Sequence, residues 1–166
     1  MALPKAPNVL KVDGAALHVR ERGAGETVLL LHSAGNTGAV VAGSLVTLGR
    51  LHGVSRPAIA MFYPTAKGWV VILDIGANSS CTAKNLLQFG VMGSVFAEYH
   101  LGVSAPRVGL LNIGEERSKG TDISREAYGL LEGSHVNFVG NVEGRDVFAG
   151  AADVVLLDPH EAGGCW

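Results

Sequence analysis

The sequence predicts an α/β fold in which a mainly parallel sheet is flanked by helices. Short apolar runs, typical of fully buried strands, alternate along the chain with longer segments of helical character. Polar loops that contain glycine separate them, and 23 of the 166 residues are glycine, about twice the usual share of roughly 7%. With 48% apolar residues the chain can build a core, so intrinsic disorder is excluded. The length fits one domain, or a domain with a small appendage.

The first predicted elements are a hairpin, a strand and a helix. The hairpin covers residues 9–22, because Asp13-Gly14 is a turn signal and apolar and polar residues alternate after it. A short apolar run at 28–31 predicts a buried strand that ends at the polar loop Ser33–Gly38. Residues 39–48 then have helical character.

Two strands and the longest helix follow. The strands are predicted at 58–63 and 69–75, separated by a loop with Pro64 and Gly68. The longest helical candidate covers 82–101. A broad apolar face along this helix is supplied by Leu86, Leu87, Phe89, Val91, Val95, Phe96 and Tyr99.

The last third of the chain continues the alternation. A strand is predicted at 108–113, a helix at 122–131 and a further strand at 135–139. A helical turn at 145–149 and a last strand at 154–157 complete the pattern. Strands that alternate with helices predict a largely parallel sheet.

The charge balance and the cysteines restrict the class of protein. Thirteen basic against fifteen acidic residues give a net charge of −2, which argues against general attraction to nucleic acid. Cys81 and Cys165 are far apart and form neither a metal-ligand spacing nor a disulfide framework, so a cytoplasmic location is predicted. Thr27–Gly49 is a run of 23 residues without a charged side chain, but a polar turn at its centre argues against a membrane span.

Four loops are predicted at the carboxyl ends of strands, where open parallel sheets bind their ligands. They are Ser33–Gly38, Asp74–Asn78, Asn112–Gly120 and Gly140–Asp146. Glycine lets backbone N–H groups approach an anion closely, and a helix N-terminus adds partial positive charge. The loops together predict a site for phosphate or another small anion. The alternative for each loop is ordinary turn chemistry and helix capping.

Single residues in these loops have competing interpretations. Lys119 lies in a loop and could offer its ammonium to a phosphate, or it is a solvated surface lysine beside Glu115, Glu116 and Arg117. Asp74, at a strand end, either orients a ligand or caps the following loop, and capping is the role we expect.

The sequence offers weak support for metal or covalent chemistry. Its six histidines show no HxxH or HxxxH spacing. Cys81, near a helix start, either has a lowered thiol pKa or is a small buried residue, and we expect the second. No P-loop, GxGxxG or GxSxG pattern occurs.

A series of long motifs resembles the middle of the bacterial phosphate acyltransferase family (PlsX). They run in order through 126 of the 166 residues, from Ser33 to Asp158. The motifs are SAGNTGA at 33–39, GR-x-x-G-x-x-RPA at 49–58, LDIGAN at 73–78, LLQFGVMGSVFA at 86–97, PRVGLLNIGEERSKG at 106–120, NFVGNVEGRD at 137–146 and ADVVLLD at 152–158.

The resemblance implies a fold, a reaction and a site. The family has a Rossmann-like α/β core, is usually dimeric, and transfers a fatty acyl group from acyl carrier protein to inorganic phosphate. The product is an acyl phosphate for phospholipid synthesis, and no metal or redox cofactor is required. By resemblance, Lys119 stabilises charge as the catalytic residue. The phosphate or substrate contacts would be Ser33, Asn36, Thr37 and Asn78.

Both ends of the chain depart from the family pattern. Residues 12–32 resemble the opening hairpin and strand of α/β-hydrolases, yet the GxSxG nucleophile is missing. After Asp158 the family continues with a C-terminal half that carries the dimer interface and membrane-associating helices, and residues 159–166 match none of it. The predicted divisions are a hydrolase-like hairpin and strand at 1–32, an acyltransferase-like core at 33–158 and an unmatched tail at 159–166.

Two functions from different classes follow from these observations. The first is acyl transfer from acyl carrier protein to phosphate, with less than full activity because loops of the family site are missing from this truncated form. The second is a non-catalytic α/β scaffold or anion-binding domain. Hydrolysis is a third and weaker hypothesis, because the chain has no nucleophile motif.

Overall fold

A computed structural model of the chain describes residues 8–12, 15–19 and 37–159. Contacts divide the chain into two units, with the division between Pro57 and Ala58. The predicted strand at 28–31 and the predicted boundary between residues 32 and 33 lie outside the described residues.

The first unit contains the predicted hairpin and one helix. Strands β1 (Asn8–Val12) and β2 (Ala15–Val19) are antiparallel, and their register pairs Val12 with Ala15. This pairing confirms the hairpin around Asp13-Gly14. Helix α1 (Thr37–Leu48) begins two residues earlier than the sequence predicts.

The second unit is a five-stranded sheet with helices on its faces. The strands are β3 (Met61–Thr65), β4 (Gly68–Leu73), β5 (Arg107–Leu111), β6 (Asn137–Val142) and β7 (Val154–Leu156). The helices are α2 (Ala83–Leu101), α3 (Asp122–Glu132) and α4 (Gly144–Phe148). The strand order is β3-β4-β7-β5-β6, and all neighbours are parallel except β3 and β4. The predicted α/β class with a mainly parallel, Rossmann-like sheet is therefore confirmed.

Each face of the sheet buries its own apolar layer. On the face covered by α2 and α3, the fully buried layer includes Val71, Val108, Leu110, Val154, Leu156, Leu86, Phe89 and Leu131. On the face with α4, the buried layer includes Val70, Ile72, Leu111, Val142, Val147 and Val155. Alternate residues of each central strand thus enter opposite layers, as a sheet buried on both sides requires.

Helix α2 packs against the sheet through small residues, which corrects the apolar face predicted for it. Leu86 and Phe89 are fully buried, but Val91, Val95 and Tyr99 are 48%, 61% and 86% exposed. The buried side continues through Gly90, Gly93 and Ala97 instead. A Cβ atom on Gly93 would lie 2.6 Å from Cγ1 of Val154, so the helix backbone approaches the sheet too closely for a side chain there.

The β3–β4 hairpin differs from the predicted loop. Pro64 and Gly68 lie inside the two strands, where Pro64 pairs with Trp69 and Thr65 pairs with Gly68. Proline is tolerated here because β3 is an edge strand of the sheet. Upstream of β3, the N–H of Ile59 donates to the Asp74 carboxylate at 2.8 Å, and the carbonyl oxygen of Ile59 accepts the N–H of Ile75 at 3.3 Å. These two bonds hold part of the predicted strand segment outside the strand pairing of β3 and β4, which begins at Met61.

Strand β6 lies two to three residues later than predicted and contains a bulge. The register passes from the pair Val108–Phe138 to the pair Gly109–Gly140, which leaves Val139 as the extra residue. Gly140 has φ of +97°, a backbone conformation that favours glycine. Because of the extra residue, Asn141 pairs with Leu110 and shares the face of α2 and α3.

Among residues 37–159, no helix is long and apolar enough to cross a membrane.

Candidate functional site

Three of the four predicted loops begin at one edge of the sheet. Strands β4, β7, β5 and β6 are parallel neighbours, so their carboxyl ends meet at the same edge. We call this edge the carboxyl rim; it comprises residues 74–78, 112–121, 143–146 and 157–158. The fourth predicted loop, Ser33–Gly38, is described only from Thr37 onward. The rim is where open parallel sheets bind ligands.

The first rim loop is organised by the carboxylate of Asp74. Asp74 is 3% exposed and follows the last residue of β4. Its Oδ1 accepts hydrogen bonds from the N–H groups of Ile59 (2.8 Å) and Ala77 (3.1 Å). Its Oδ2 accepts from the backbone N–H and the Nδ2 of Asn78, both at 2.8 Å. The expected capping role of Asp74 is therefore confirmed, and the Nδ2 group of Asn78 serves this turn.

A second carboxylate, that of Asp158, follows the central strand β7. It is 1% exposed, and its Oδ2 accepts a hydrogen bond from Oγ1 of Thr121 at 3.0 Å. Thr121 is also the N-cap of α3, because its Oγ1 accepts the N–H of Ser124 at 3.1 Å. Asp158 has no assigned role among the predictions from sequence. The signal for it is that β4 and β7 are each followed within two residues by an aspartate at the rim.

Two asparagines hold the loop that carries Lys119. Asn112 donates from Nδ2 to the carbonyl oxygen of Lys119 at 3.1 Å, and its Oδ1 accepts the N–H of Ile113 at 2.7 Å. Asn141 donates from Nδ2 to the carbonyl oxygen of Glu116 at 2.9 Å. The same oxygen accepts the N–H of Lys119 at 3.0 Å. The backbone on both sides of the lysine is thus fixed to the ends of β5 and β6.

The side chain of Lys119 is exposed and lies against Gly114. A Cβ atom on Gly114 would be 3.1 Å from Cγ of Lys119 and 2.8 Å from Oε2 of Glu116, so glycine leaves room for the lysine stem. The Lys119 ammonium makes no ion pair with any residue in 37–159. An exposed, unpaired ammonium at the rim can bind an anion.

The other cations of this loop region are engaged with carboxylates. Arg117 lies 2.8 Å from Glu132 and its guanidinium stacks over the ring of Tyr128 at 5.1 Å. Arg145 contacts Glu143 at 3.4 Å and Glu115 at 3.6 Å. Residues 112–121 contain two cations, Arg117 and Lys119. Among the described residues, Arg117 has a carboxylate partner and Lys119 has none.

The other three predicted contacts belong to the first unit. Ser33 and Asn36 lie outside the described residues, and Thr37 is the first residue of α1 in the first unit. Of the five predicted site residues, the structure brings Asn78 and Lys119 to the same rim. Their proposed contact with phosphate stays a prediction.

The described residues offer neither a reactive cysteine nor a metal site at this rim. Cys81 is 4% exposed and belongs to the apolar layer under α2, as expected for a small buried residue. Within the described part of the chain, no group of three or more His, Cys, Asp or Glu side chains could hold a metal ion.

A strong charge pair lies at the opposite edge of the sheet. Arg107 begins β5 and contacts Asp153, just before β7, through Nη2–Oδ1 (2.9 Å) and Nε–Oδ2 (3.0 Å) distances. The hydrogen bond from Arg107 lowers the pKa of Asp153 below its ordinary value of 3.8. The same bond raises the pKa of Arg107. This pair fixes the amino ends of the central strands, away from the rim.

Comparison with known proteins identifies relatives along nearly the whole chain. A family model described as fatty acid synthesis protein matches residues 8–162. The phosphate acyltransferase of Desulforamulus reducens is 56% identical over 126 residues, which cover 76% of this chain and 38% of the relative. That of Thermoanaerobacterium thermosaccharolyticum is 50% identical over 126 residues, with the same two shares. That of Caldanaerobacter subterraneus subsp. tengcongensis is 46% identical over 157 residues, 95% of this chain and 46% of the relative.

These matches have two consequences. The chain spans less than half the length of the curated relatives, 38% to 46% in the three cases. The family match starts at residue 8, so it includes residues 12–32, whose resemblance to α/β-hydrolases stays a prediction. Because the family model covers most of the sequence, this chain belongs to the fatty acid synthesis protein family, the family of the PlsX phosphate acyltransferases.

Proposed function

We propose that the chain takes part in acyl transfer from the thioester of acyl carrier protein to inorganic phosphate. A phosphate oxygen attacks the thioester carbonyl carbon, a C–O bond forms, and the C–S bond breaks. The products are an acyl phosphate and the carrier protein thiolate, which takes up the proton given up by the hydrogen phosphate and becomes a thiol. The relatives' name, phosphate acyltransferase, supports this assignment.

The observation that carries the proposal is the unpaired ammonium of Lys119 on the carboxyl rim. Acyl transfer to phosphate needs a held anion and stabilisation of the negative charge that develops on the carbonyl oxygen. Lys119 supplies a positive charge at this edge without a competing carboxylate partner among the described residues. In the proposal Lys119 is the catalytic residue. The phosphate or substrate contacts are Ser33, Asn36, Thr37 and Asn78.

The proposed partners follow from the same reaction: acyl carrier protein delivers the acyl group and phosphate accepts it. The proposed location is the cytoplasm, in line with the two widely spaced cysteines. A homodimer is the proposed assembly. The attack and the departure of the thiolate change no oxidation state, so the proposed reaction needs no redox cofactor, and the family resemblance implies no metal.

A non-catalytic α/β domain that binds an anion or serves as a scaffold is the second candidate. The hydrogen bonds inside the rim favour it, since the Asp74 carboxylate and the Asn78 amide are engaged in forming their own turn. Such engagement is typical of capping as well as of a ligand site.

One experiment separates these candidates. Acyl-phosphate formation from acyl carrier protein thioester is measured together with phosphate binding by calorimetry, for the full chain and for Lys119→Ala. Loss of a charge-assisted contact is expected to weaken phosphate binding about tenfold or more. Lys67→Ala is the matched control, because Lys67 is an exposed lysine in the β3–β4 turn at the opposite edge.

Each outcome assigns the function differently. Turnover that is lost in Lys119→Ala and kept in Lys67→Ala supports acyl transfer at the rim. Phosphate binding without turnover supports the anion-binding domain. Unchanged binding and turnover in Lys119→Ala contradict the assignment of the site. Ester cleavage blocked by a serine-directed inhibitor would support the hydrolase hypothesis instead.

A further inference from the structure

Two buried asparagines, at the ends of neighbouring strands, donate hydrogen bonds to the Glu116–Lys119 turn. Asn112 directly follows β5 and is 1% exposed, and Asn141 lies near the end of β6 and is 7% exposed. Asn112 donates to the carbonyl oxygen of Lys119 (3.1 Å), and Asn141 donates to that of Glu116 (2.9 Å). The two ends of the turn are therefore tied to two different strands.

The environment of Asn141 shows which of its atoms matters. Its Oδ1 is buried and has no hydrogen-bond partner in the described structure, which is unfavourable for a polar atom. An apolar side chain would fill the same space without leaving an acceptor unpaired. The contribution specific to asparagine is thus the Nδ2 donor to Glu116, whose carbonyl also receives the N–H of Lys119.

The bulge in β6 is what brings this donor to the turn. Phe138 and Asn141, three residues apart, pair with Val108 and Leu110 on the same face of the sheet. If the same strand paired without the bulge, Val139 would pair with Gly109 and residue 140 with Leu110. Residue 140 is glycine, which has no side-chain amide to donate. The bulge at Val139 and the asparagine at position 141 are therefore both needed to place a side-chain donor beside the Glu116 carbonyl.

We propose that Asn141, assisted by Asn112, is a positioning residue that sets where the Lys119 ammonium stands on the carboxyl rim. This inference rests on the proposed function of Lys119 as the phosphate-facing cation. Asn141 touches no reacting atom; it acts by restricting the backbone from which the lysine side chain starts. Restricting that backbone lowers the entropy that phosphate binding must otherwise remove.

The test uses the full chain with Asn141→Ala and Asn141→Asp, the second of which keeps the shape but removes the Nδ2 donor. Asn137→Ala is the matched control. Asn137 lies on the same strand at its other end, and its Nδ2 also donates to a backbone carbonyl, that of Ala105 at 2.9 Å. Inorganic phosphate is the probe for binding, measured by calorimetry.

Three measurements are made on each variant. Amide hydrogen exchange of Lys119 reports the turn, since this N–H donates to Glu116. Exchange of Val71, whose N–H donates to Asp153 in the central sheet, reports whether the fold persists. Phosphate affinity is compared among Asn141→Ala, Lys119→Ala and the double variant, because coupled residues give non-additive losses.

If Asn141 positions Lys119, both Asn141 variants speed exchange at Lys119 by about tenfold while Val71 stays protected. They also weaken phosphate binding about fivefold or more, and Asn141→Ala adds little to the loss in Lys119→Ala. Unchanged exchange at Lys119, or losses that add in full in the double variant, overturns the inference. So does loss of protection at Val71 in both variants, since Asn141 would then support the fold in general.

Failure of the proposed function has a different signature. In that case Lys119→Ala binds phosphate as tightly as the unsubstituted chain, while exchange at Lys119 still responds to Asn141→Ala and not to Asn137→Ala. The turn would then be held by Asn141, but the lysine that it holds would not face phosphate.

Discussion

The buried carboxylate of Asp74 accepts four hydrogen bonds at the end of β4. Its two oxygens accept four N–H groups from Ile59, Ala77 and Asn78, and the residue is 3% exposed. One carboxylate therefore joins the segment before β3 to the turn after β4. An acceptor of this kind is difficult to replace, because each lost bond leaves a donor with reduced access to water.

We expect Asp74→Asn to destabilise the chain by about 2 kcal/mol. The amide keeps the size of the carboxyl group, but it replaces one accepting oxygen with an NH2 group that faces two donors. Urea unfolding followed by circular dichroism measures the change. Asp122→Asn is the control, since the Asp122 side chain is 96% exposed, and an equal loss in both variants would contradict the explanation.

Single residues of the rim were predictable where the signal is local. The position of Lys119 in a loop beside Gly120 follows from the chain itself, as does the cap supplied by Asp74 at a strand end. Asn141 and Asp158 carry no such signal, because their partners Glu116 and Thr121 are 25 and 37 residues away. Their roles depend on which strands become neighbours, and that information is not in the spacing of residues.

At the scale of elements, the small residues of α2 decide how closely it meets the sheet. Gly93 faces Val154 and Leu73, at 2.6 Å and 2.8 Å from the position a Cβ would take. Gly90, one turn earlier, faces the flexible end of Leu131 at 3.0 Å. The two glycines lie on one helix face but differ in how far their neighbours can move.

Gly93→Ala is expected to lower the free energy of unfolding by about 2 kcal/mol, because overpacking against β7 forces the helix or the strand to shift. Gly90→Ala is the matched variant and should lose less, since alanine gains about 1 kcal/mol of helix preference over glycine and the end of Leu131 can move. Thermal unfolding of both variants tests the order. A larger loss for Gly90→Ala would contradict this account of the packing.

The elements themselves followed from periodicity better than their ends did. Helices α2 and α3 lie within one residue of the predicted spans, since their caps, Thr82 and Thr121, are visible as residue types. Strand β6 did not, because a bulge extends its pairing to Val142. Four residues of the predicted apolar face of α2 are buried or pack against the core. Val91, Val95 and Tyr99 are exposed instead, since periodicity counts apolar residues and does not show that glycine makes the contact.

At the scale of the whole molecule, the last described strand of the chain occupies the centre of the sheet. Strand β7 lies between β4 and β5, so residues near the end of the described chain complete the centre of the sheet. The alternation of strands and helices predicts a parallel sheet but does not give this order, because pairing between distant strands depends on contacts that no local pattern records. The ion pair of Arg107 and Asp153 is one of those contacts.

This pair makes the stability of the molecule depend on pH. The hydrogen bond from Arg107 lowers the pKa of Asp153 in the folded state below 3.8. A lowered pKa means that the contribution is present above about pH 4 and is lost as the pH falls through the folded value. We expect Asp153→Asn to cost about 1.5 kcal/mol at pH 7, and the difference from the unsubstituted chain should shrink between pH 4 and pH 2.

Urea unfolding at pH 7, 5, 3 and 2 measures this dependence. Glu126→Gln, which changes an exposed carboxylate on α3, is the control and should give a small difference at every pH. A difference for Asp153→Asn that stays constant down to pH 2 would mean that packing, and not the charge of the pair, supports the amino ends of the strands.

The bulge in β6, and not the number of residues in the strand, determines which layer Asn141 and Val142 enter. Regular pairing of the unchanged sequence would place Asn141 opposite Leu111, so its polar amide would enter the layer of Val147 and Gly140 would take its place beside the Lys119 turn. Deleting Val139 would remove the bulge, yet Asn141 would stay opposite Leu110 and Val142 opposite Leu111. The strand can therefore lose this residue without exchanging the two layers, whereas losing the bulge at full length would place a polar amide in the core although no residue type has been altered.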